Sequence, residues 1–252
     1  MNDGDADALA SALAEAHATA TAFDPDSRPG VASIADGYRV QERLVDRLRE
    51  DRGEPVGYKI GFTNERVRTD LGVDEPGYGR LLDRTVRDAP ATVAADDHVE
   101  LRVEPELAFR LGADLPGDSS RGRARDAVAA VVPAVELVDS RTGWSFDAPL
   151  ALADNCLDAG IVVGDGTSPN GLALADEAVT LRVDGDPVDA GVGADVLGHP
   201  LAALSWLADA VDGLPAGAFV ATGSLTEPVP VAAGETATAD FASLGTVELR
   251  VR

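Results

Sequence analysis

Apolar residues recur at helical spacing in the first part of the chain. Ile34, Tyr38, Gln41, Leu44, Val45 and Leu48 mark one face of a helix expected over 33–49, with Ser33 as its N-cap. An alanine-rich helix is expected before it, over 5–21, and the Asp- and Pro-rich stretch 23–30 breaks the two apart. Residues 56–62 read as a short strand, 64–71 as a helix and the Gly/Pro-rich 72–79 as a loop. Past residue 85 the pattern changes to strands, expected at 98–110, 134–139, 161–163, 178–183, 218–222, 236–241 and 246–251, with helices at 123–131 and 201–211. Strands mixed with separate helices predict an α+β fold. The expected organisation is an N-terminal helical region, 1–85, carrying the 56–62 strand and the loop after it, followed by a strand-rich catalytic region, 86–252.

Composition adds a charge anomaly. Forty-four acidic residues against 21 basic give a net charge of −23, a surface that repels nucleic acid and anionic membranes. The single lysine is Lys59; every other basic residue is arginine. A dense carboxylate surface of this kind suits high salt, where self-repulsion is screened, so the acidity says nothing about substrate. A lone cysteine, Cys156, an N-terminus without a signal-peptide pattern and the lack of a long apolar run predict a soluble, cytoplasmic protein.

Candidate chemistry begins in HVELRVEPELAF. Alternation puts Val99, Leu101 and Val103 on one strand face and Glu100, Arg102, Glu104 and Glu106 on the other. Two carboxylates side by side raise each other's pKa unless a positive charge lies between them, and a hard divalent cation such as Mg²⁺ or Mn²⁺ is the natural one. Pro105 cannot donate to a ladder, which predicts an edge or bulged strand. The third candidate ligand is Glu136, set among Val135, Leu137 and Val138, where an unpaired carboxylate is costly to bury. In so acidic a chain the pair Glu104 and Glu106 alone reads first as a solvated face; the apolar setting of Glu136 shifts the reading toward the metal.

Lys59 stands between Gly57 and Gly61 in GYKIG. In a chain that otherwise uses arginine, a lysine offers a compact charge that can take part in proton transfer, which arginine cannot. His199 reads as a helix cap, His17 and His98 as surface groups, Cys156 as a buried structural thiol, and Trp144 and Trp206 as core or interface aromatics. The scattered histidines exclude a zinc site or a histidine-based hydrolytic dyad, and the GVG at 191–193 lacks the strand–turn–helix context of a dinucleotide site.

In order and spacing, GYKIGFTNERVRTDLGVDEPGYG, RVEPELAF, PAVELVDSR, LADN, VLGHPLAALSWLA and TGSLTEPVPVAAGE resemble the 2-keto-4-pentenoate hydratase and 2-oxo-3-hexenedioate decarboxylase family of the fumarylacetoacetate hydrolase superfamily. The resemblance implies a mixed, rolled β-sheet like the fumarylacetoacetase C-terminal domain and a homo-oligomer. It implies a divalent metal, Mg²⁺ or Mn²⁺, on Glu104, Glu106 and Glu136, a catalytic Lys59, and Leu71, Ser224 and Thr226 against the substrate. The activity implied is hydration of a small 2-oxo-enoic or 2-hydroxydienoic acid from aromatic meta-cleavage. The alternatives are decarboxylation of 2-oxo-3-hexenedioate (4-oxalocrotonate), hydrolysis of an acylpyruvate C–C bond, or binding of a 2-oxo acid without catalysis. Two departures bear on the choice. Gly77 stands where hydratases of this kind commonly carry an aspartate, with Asp74 and Glu75 as nearby substitutes, and Cys156, Leu157 and Asp158 replace small residues after LADN.

Overall fold

The computed structural model describes residues 1–24 and 30–252, so most of the break expected at 23–30 lies outside the described residues. Two helices open the chain, α1 (Asp3–Thr19) and α2 (Ile34–Arg52). Ser33 caps α2 as expected, its side chain accepting the Asp36 N–H. Leu9 and Leu13 of α1 pack on Val40, Leu44 and Leu48 of α2, each buried leucine contributing about 2 kcal/mol through apolar area removed from water.

The elements that follow are β1 (Pro55–Gly61), α3 (Glu65–Leu71), β2 (Gly77–Leu82), β3 (Val86–Asp88), β4 (Ala91–Val93) and β5 (Arg102–Leu111). Then come α4 (Arg121–Ala127), β6 (Val128–Val138), α5 (Ala148–Ala153), β7 (Asp158–Val163), β8 (Ala178–Val183) and β9 (Asp186–Val192). The chain ends with α6 (Pro200–Ala210), β10 (Phe219–Ser224), β11 (Val229–Pro230), β12 (Thr236–Phe241) and β13 (Gly245–Val251). One mixed sheet runs β2-β1-β10-β5-β6-β7-β3, with β11 continuing beside β5 where β10 leaves off; a second runs β4-β13-β12-β8-β9. Helices and two curled mixed sheets make this the expected α+β fold. None of the described helices is long and apolar enough to cross a membrane.

The faces of the central strands divide the labour. Leu107, Phe109, Val131, Val135 and Val220 point into the main core with residues of the second sheet. Ala108, Ala134 and Ala221 lie on the other face, where small side chains leave room above the sheet. Gly57 permits the parallel pairing of β1 with β10, because a Cβ there would sit 1.8 Å from the Phe219 carbonyl oxygen.

Four expectations need correction. The helix expected over 123–131 ends at Ala127, where β6 begins. Strand β5 is not an edge: it lies between β10 and β6, and the bulge falls on β10, between Ala221 and Ser224, beside Pro105. The missing donor of Pro105 thus meets a break in the neighbouring ladder. Residues 72–79 are not all loop, since β2 starts at Gly77 and pairs with β1. His17 is not a surface group; its side chain is buried, with Nε2 2.9 Å from Asp154 Oδ1. Asp154 also takes two hydrogen bonds from Arg141 Nε, at 2.9 and 2.8 Å. This triad ties α1 to the segment leading into β7.

Burial, aided by Arg141, lowers the His17 pKa to about 4. The folded protein therefore holds His17 neutral where the unfolded chain protonates it. That contribution is complete above the unfolded value near 6.5 and is lost as pH falls toward 4. Chemical denaturation at pH 7.5 and pH 5 is expected to show wild type losing about 2 kcal/mol more than His17→Gln over this interval; equal losses would remove the assignment.

Candidate metal centre and pocket

The register of β5 against β6 sets Glu104 directly opposite Glu136, with Glu106 opposite Ala134. Alternation puts all three carboxylates on the small-residue face, where one oxygen of each lies within 4.8 Å of the others. Glu106 and Glu136 are fully buried and Glu104 is half-buried. Glu106 Oε2 accepts the Gly223 N–H at 3.0 Å, and Gly223 adopts φ 110 against Thr63, which would meet a Cβ at 2.5 Å. Glu106 Oε1 and both oxygens of Glu136 are buried without a hydrogen bond.

Lys59 reaches the cluster from β1, two strands away. Its Nζ donates to the Cys156 carbonyl at 2.8 Å and lies 3.1 Å from Glu136 Oε1, a charge contact without hydrogen-bond alignment. Burial works against its ammonium, but Cys156, Glu136, Glu104 and Glu106 outweigh that penalty and hold its pKa above the lysine range. Burial, reinforced by Glu136, pushes Glu104 up to about 8 and Glu106 well above the usual carboxylate range. One ammonium does not neutralise three carboxylates. Unpartnered buried oxygens on an all-carboxylate donor set fit a hard divalent cation, which takes oxygen ligands and retains water.

The Cys156 carbonyl is aimed by an unusual turn. Asn155, Cys156 and Leu157 have φ of 50, 54 and 64, three consecutive non-glycine residues in the left-handed region, at a cost of about 1–2 kcal/mol each. The Asn155 side chain holds the turn by accepting the Arg80 N–H at 2.8 Å and donating to the Arg80 carbonyl at 2.9 Å.

A cavity of about 300 Å³ opens beside the cluster, bounded by Lys59, Glu104, Leu71, Ser224 and Thr226 among others. The structure thus brings the candidate site residues together: Lys59, Glu104, Leu71, Ser224 and Thr226 line the cavity, and Glu106 and Glu136 adjoin Glu104 in the carboxylate cluster without lining it. Ser224 Oγ donates to the Thr226 carbonyl at 2.8 Å. Sequence reading missed Phe62, Val67, Asp70, Arg102, Trp144 and Phe146, which also line the cavity. Asp70, adjacent to Leu71, was open to inference from that neighbour; Trp144 and Phe146 belong to an irregular segment with no periodic signal. Cys156 is buried as expected, yet it too faces the cavity, and burial raises its thiol to about 11. His199 caps α6 as expected, Nδ1 accepting the Leu201 N–H at 3.1 Å.

A Cβ at Gly77 would lie 2.5 Å from Leu152 Cδ2 and 3.1 Å from the Phe62 ring, so a side chain there requires those two side chains to shift. Asp74 and Glu75 do not line the cavity, whereas Asp70 does.

A family model described as fumarylacetoacetate (FAA) hydrolase C-terminal matches residues 78–252. The chain is 37% identical to a TodF product hydratase of Pseudomonas putida, over 86% of this chain and 84% of that protein. It is 35% identical to a 2-hydroxyhexa-2,4-dienoate hydratase of Comamonas testosteroni, over 89% and 88%. Among solved structures, a 4-oxalocrotonate decarboxylase from Pseudomonas putida G7, complexed with magnesium and adipate, superposes with a TM-score of 0.94 at 30% identity, covering 100% of this chain and 99% of that one.

The carboxylate cluster predicts a stability response to metal. Mg²⁺ at about 100 times its dissociation constant is expected to add roughly 2.7 kcal/mol, or about 5–10 °C in Tm for a chain of this size. Calorimetry should show Glu136→Gln losing most of that increment; an undiminished shift would place the cation elsewhere.

Proposed function

The chain belongs to the fumarylacetoacetate hydrolase family, and from that premise we propose that it is a Mg²⁺-dependent lyase that hydrates a small 2-hydroxydienoic or 2-oxo-enoic acid such as 2-keto-4-pentenoate. The observation that carries the reading is the trio Glu104, Glu106 and Glu136, with unpartnered oxygens beside Lys59 at a cavity sized for a small acid. Similarity to hydratases over most of the chain supports it. So does the Mg²⁺ of the superposed decarboxylase and the Mn²⁺ of a more distant fumarylpyruvate hydrolase from Pseudomonas aeruginosa.

The three glutamates hold the cation, which when bound supplies a Lewis acid for the oxygens of a 2-oxo acid. Lys59 is fixed by the Cys156 carbonyl, so its ammonium faces the same place without a search through rotamers. There it pairs with the substrate's negative charge and exchanges a proton at Nζ. Ser224 and Thr226 orient the acid, and Leu71, Phe62 and Leu157 keep bulk water from the reacting carbons. Hydration places OH on C4, the nearer carbon of the remote double bond, and a proton on C5, giving a 4-hydroxy-2-oxo acid. Asp70 is the one carboxylate on the cavity wall outside the metal cluster and the Arg66–Glu227 pair, and we assign it the handling of that water.

A second reading, decarboxylation of 2-oxo-3-hexenedioate, is favoured by the lack of a loop carboxylate at Gly77 and by the superposition with the decarboxylase. It uses the same cation and lysine and expels CO₂ in place of adding water. The lack of a histidine at the cavity disfavours acylpyruvate hydrolysis, and the intact trio disfavours a binding protein without activity. High-salt adaptation, a cytoplasmic location and homo-oligomerisation complete the proposal, as does division into an N-terminal region (1–85) and a catalytic region (86–252).

The test is turnover of 2-hydroxypenta-2,4-dienoate with Mg²⁺: loss of dienol absorbance with water uptake supports the hydratase, CO₂ release from 2-oxo-3-hexenedioate the decarboxylase, and neither would sink the proposal. Lys59→Ala should lower kcat by about 10²–10⁴ while Mg²⁺ affinity is kept or raised, since a cation beside the ligands is lost. Unchanged kcat would remove Lys59 from the chemistry.

A further inference from the structure

The outer half of the cavity shows which substrate tail it accepts, on the premise that its inner end is the 2-oxo-acid site proposed above. Away from its charged groups the lining is largely apolar: Val67, Leu71, Trp144, Phe146, Leu157 and Pro228. A carboxylate placed among them loses its hydration and needs a cation in exchange. Two arginines line this region, and both are engaged. Arg66 lies 3.3 Å from Glu227. The Arg102 NH2 donates to Glu100 at 2.7 Å, and its guanidinium lies 3.7 Å from the Trp144 ring centroid.

Arg102 is the position of interest. It sits two residues before Glu104 on β5, hence on the same strand face and about 7 Å along the strand, the span from the first to the last carbon of a six-carbon diacid. Its Nε is buried and has no acceptor. A guanidinium so placed would receive a distal carboxylate if its charge were free, but Glu100 already balances it. Asp70 adds a further negative group to the wall, and the net charge of −23 opposes entry of a dianion more than of a monoanion.

The geometry points to Glu100 and Glu227 as specificity-determining residues that neutralise the two outer arginines and reserve the cavity for 2-oxo acids with an uncharged tail. The substrate class is then a short monocarboxylic 2-hydroxydienoate, and dicarboxylic analogues are poor ligands. Neither glutamate touches the reacting carbons; each acts by occupying an arginine.

Binding of two saturated, unreactive analogues to the Mg²⁺-loaded protein tests this without turnover. Titration calorimetry is expected to give 2-oxopentanoate a Kd at least about tenfold below that of 2-oxohexanedioate, a difference of about 1.4 kcal/mol. Glu100→Gln and Glu227→Gln, singly and together, should shrink that ratio to about threefold or invert it by tightening the diacid, with Mg²⁺ affinity unchanged in Glu100→Gln. The single variants stand in for each other if one folds poorly. Equal or tighter wild-type binding of the diacid would overturn the inference. So would a tenfold preference that both variants leave intact, since the arginines would then play no part. Binding of neither analogue would instead refute the 2-oxo-acid reading of the cavity, and the two failures are therefore distinct.

Discussion

Three carboxylates are held together on one face of a sheet, against their mutual repulsion, with a single buried ammonium to answer them. The main-chain ladder between β5 and β6 makes this arrangement possible. Its register sets Glu104 opposite Glu136, and a slip of one residue would turn the slipped strand's acids into the apolar core. The hydrophobic residues on the opposite face, Leu107, Phe109, Val131 and Val135, fix that register far more strongly than the acids oppose it. Burial raises the pKa of Glu104 and Glu106, so the cluster stores unfavourable electrostatics that a divalent cation relieves. Ligand binding and folding are linked through the same few side chains.

The remaining parts of the site follow from where that cluster sits. Alanines at 108, 134 and 221 keep the face open, β1 is drawn close to β10 by Gly57, and Lys59 is thereby delivered from a strand with no direct pairing to β5. The bulge in β10 releases the chain beside Glu106, so Gly223 can donate to its carboxylate while Ser224 and Thr226 reach the cavity.

Much of this was legible in the sequence. The alternation of HVELRVEPELAF put the acids on one face, the apolar company of Glu136 marked it as expensive, and the absence of any other lysine singled out Lys59. Local patterns carried those facts; they carried nothing about neighbours in the sheet. Pro105 read as an edge because a missing donor is visible in sequence while a bulge on the facing strand is not. Residues 77–79 read as loop because two glycines follow Pro76 there, although both glycines are small for the sake of packing against Leu152 and Asn155. His17 read as exposed because the alanine-rich α1 has a weak apolar stripe, and its partner Asp154 lies 137 residues away. The cavity wall formed by Trp144 and Phe146 has no repeat to detect. The family resemblance supplied the order of motifs, and the recorded likeness to hydratases and decarboxylases agrees with it.

The left-handed turn at 155–157 has a consequence for how such a protein diverges. The lysine is oriented by a main-chain carbonyl, and a peptide oxygen stays the same whichever residue bears it. Residue 156 borders the cavity, so its side chain can change without altering the oxygen that holds the lysine, within the space left beside Gly61 and provided the backbone keeps its hand. Positional control is vested in the peptide and substrate choice in the side chain, so one residue serves two roles that selection can alter separately. A cysteine at 156 is then one choice on an unchanged frame, and new substrates can be acquired without rebuilding the catalytic end of the pocket.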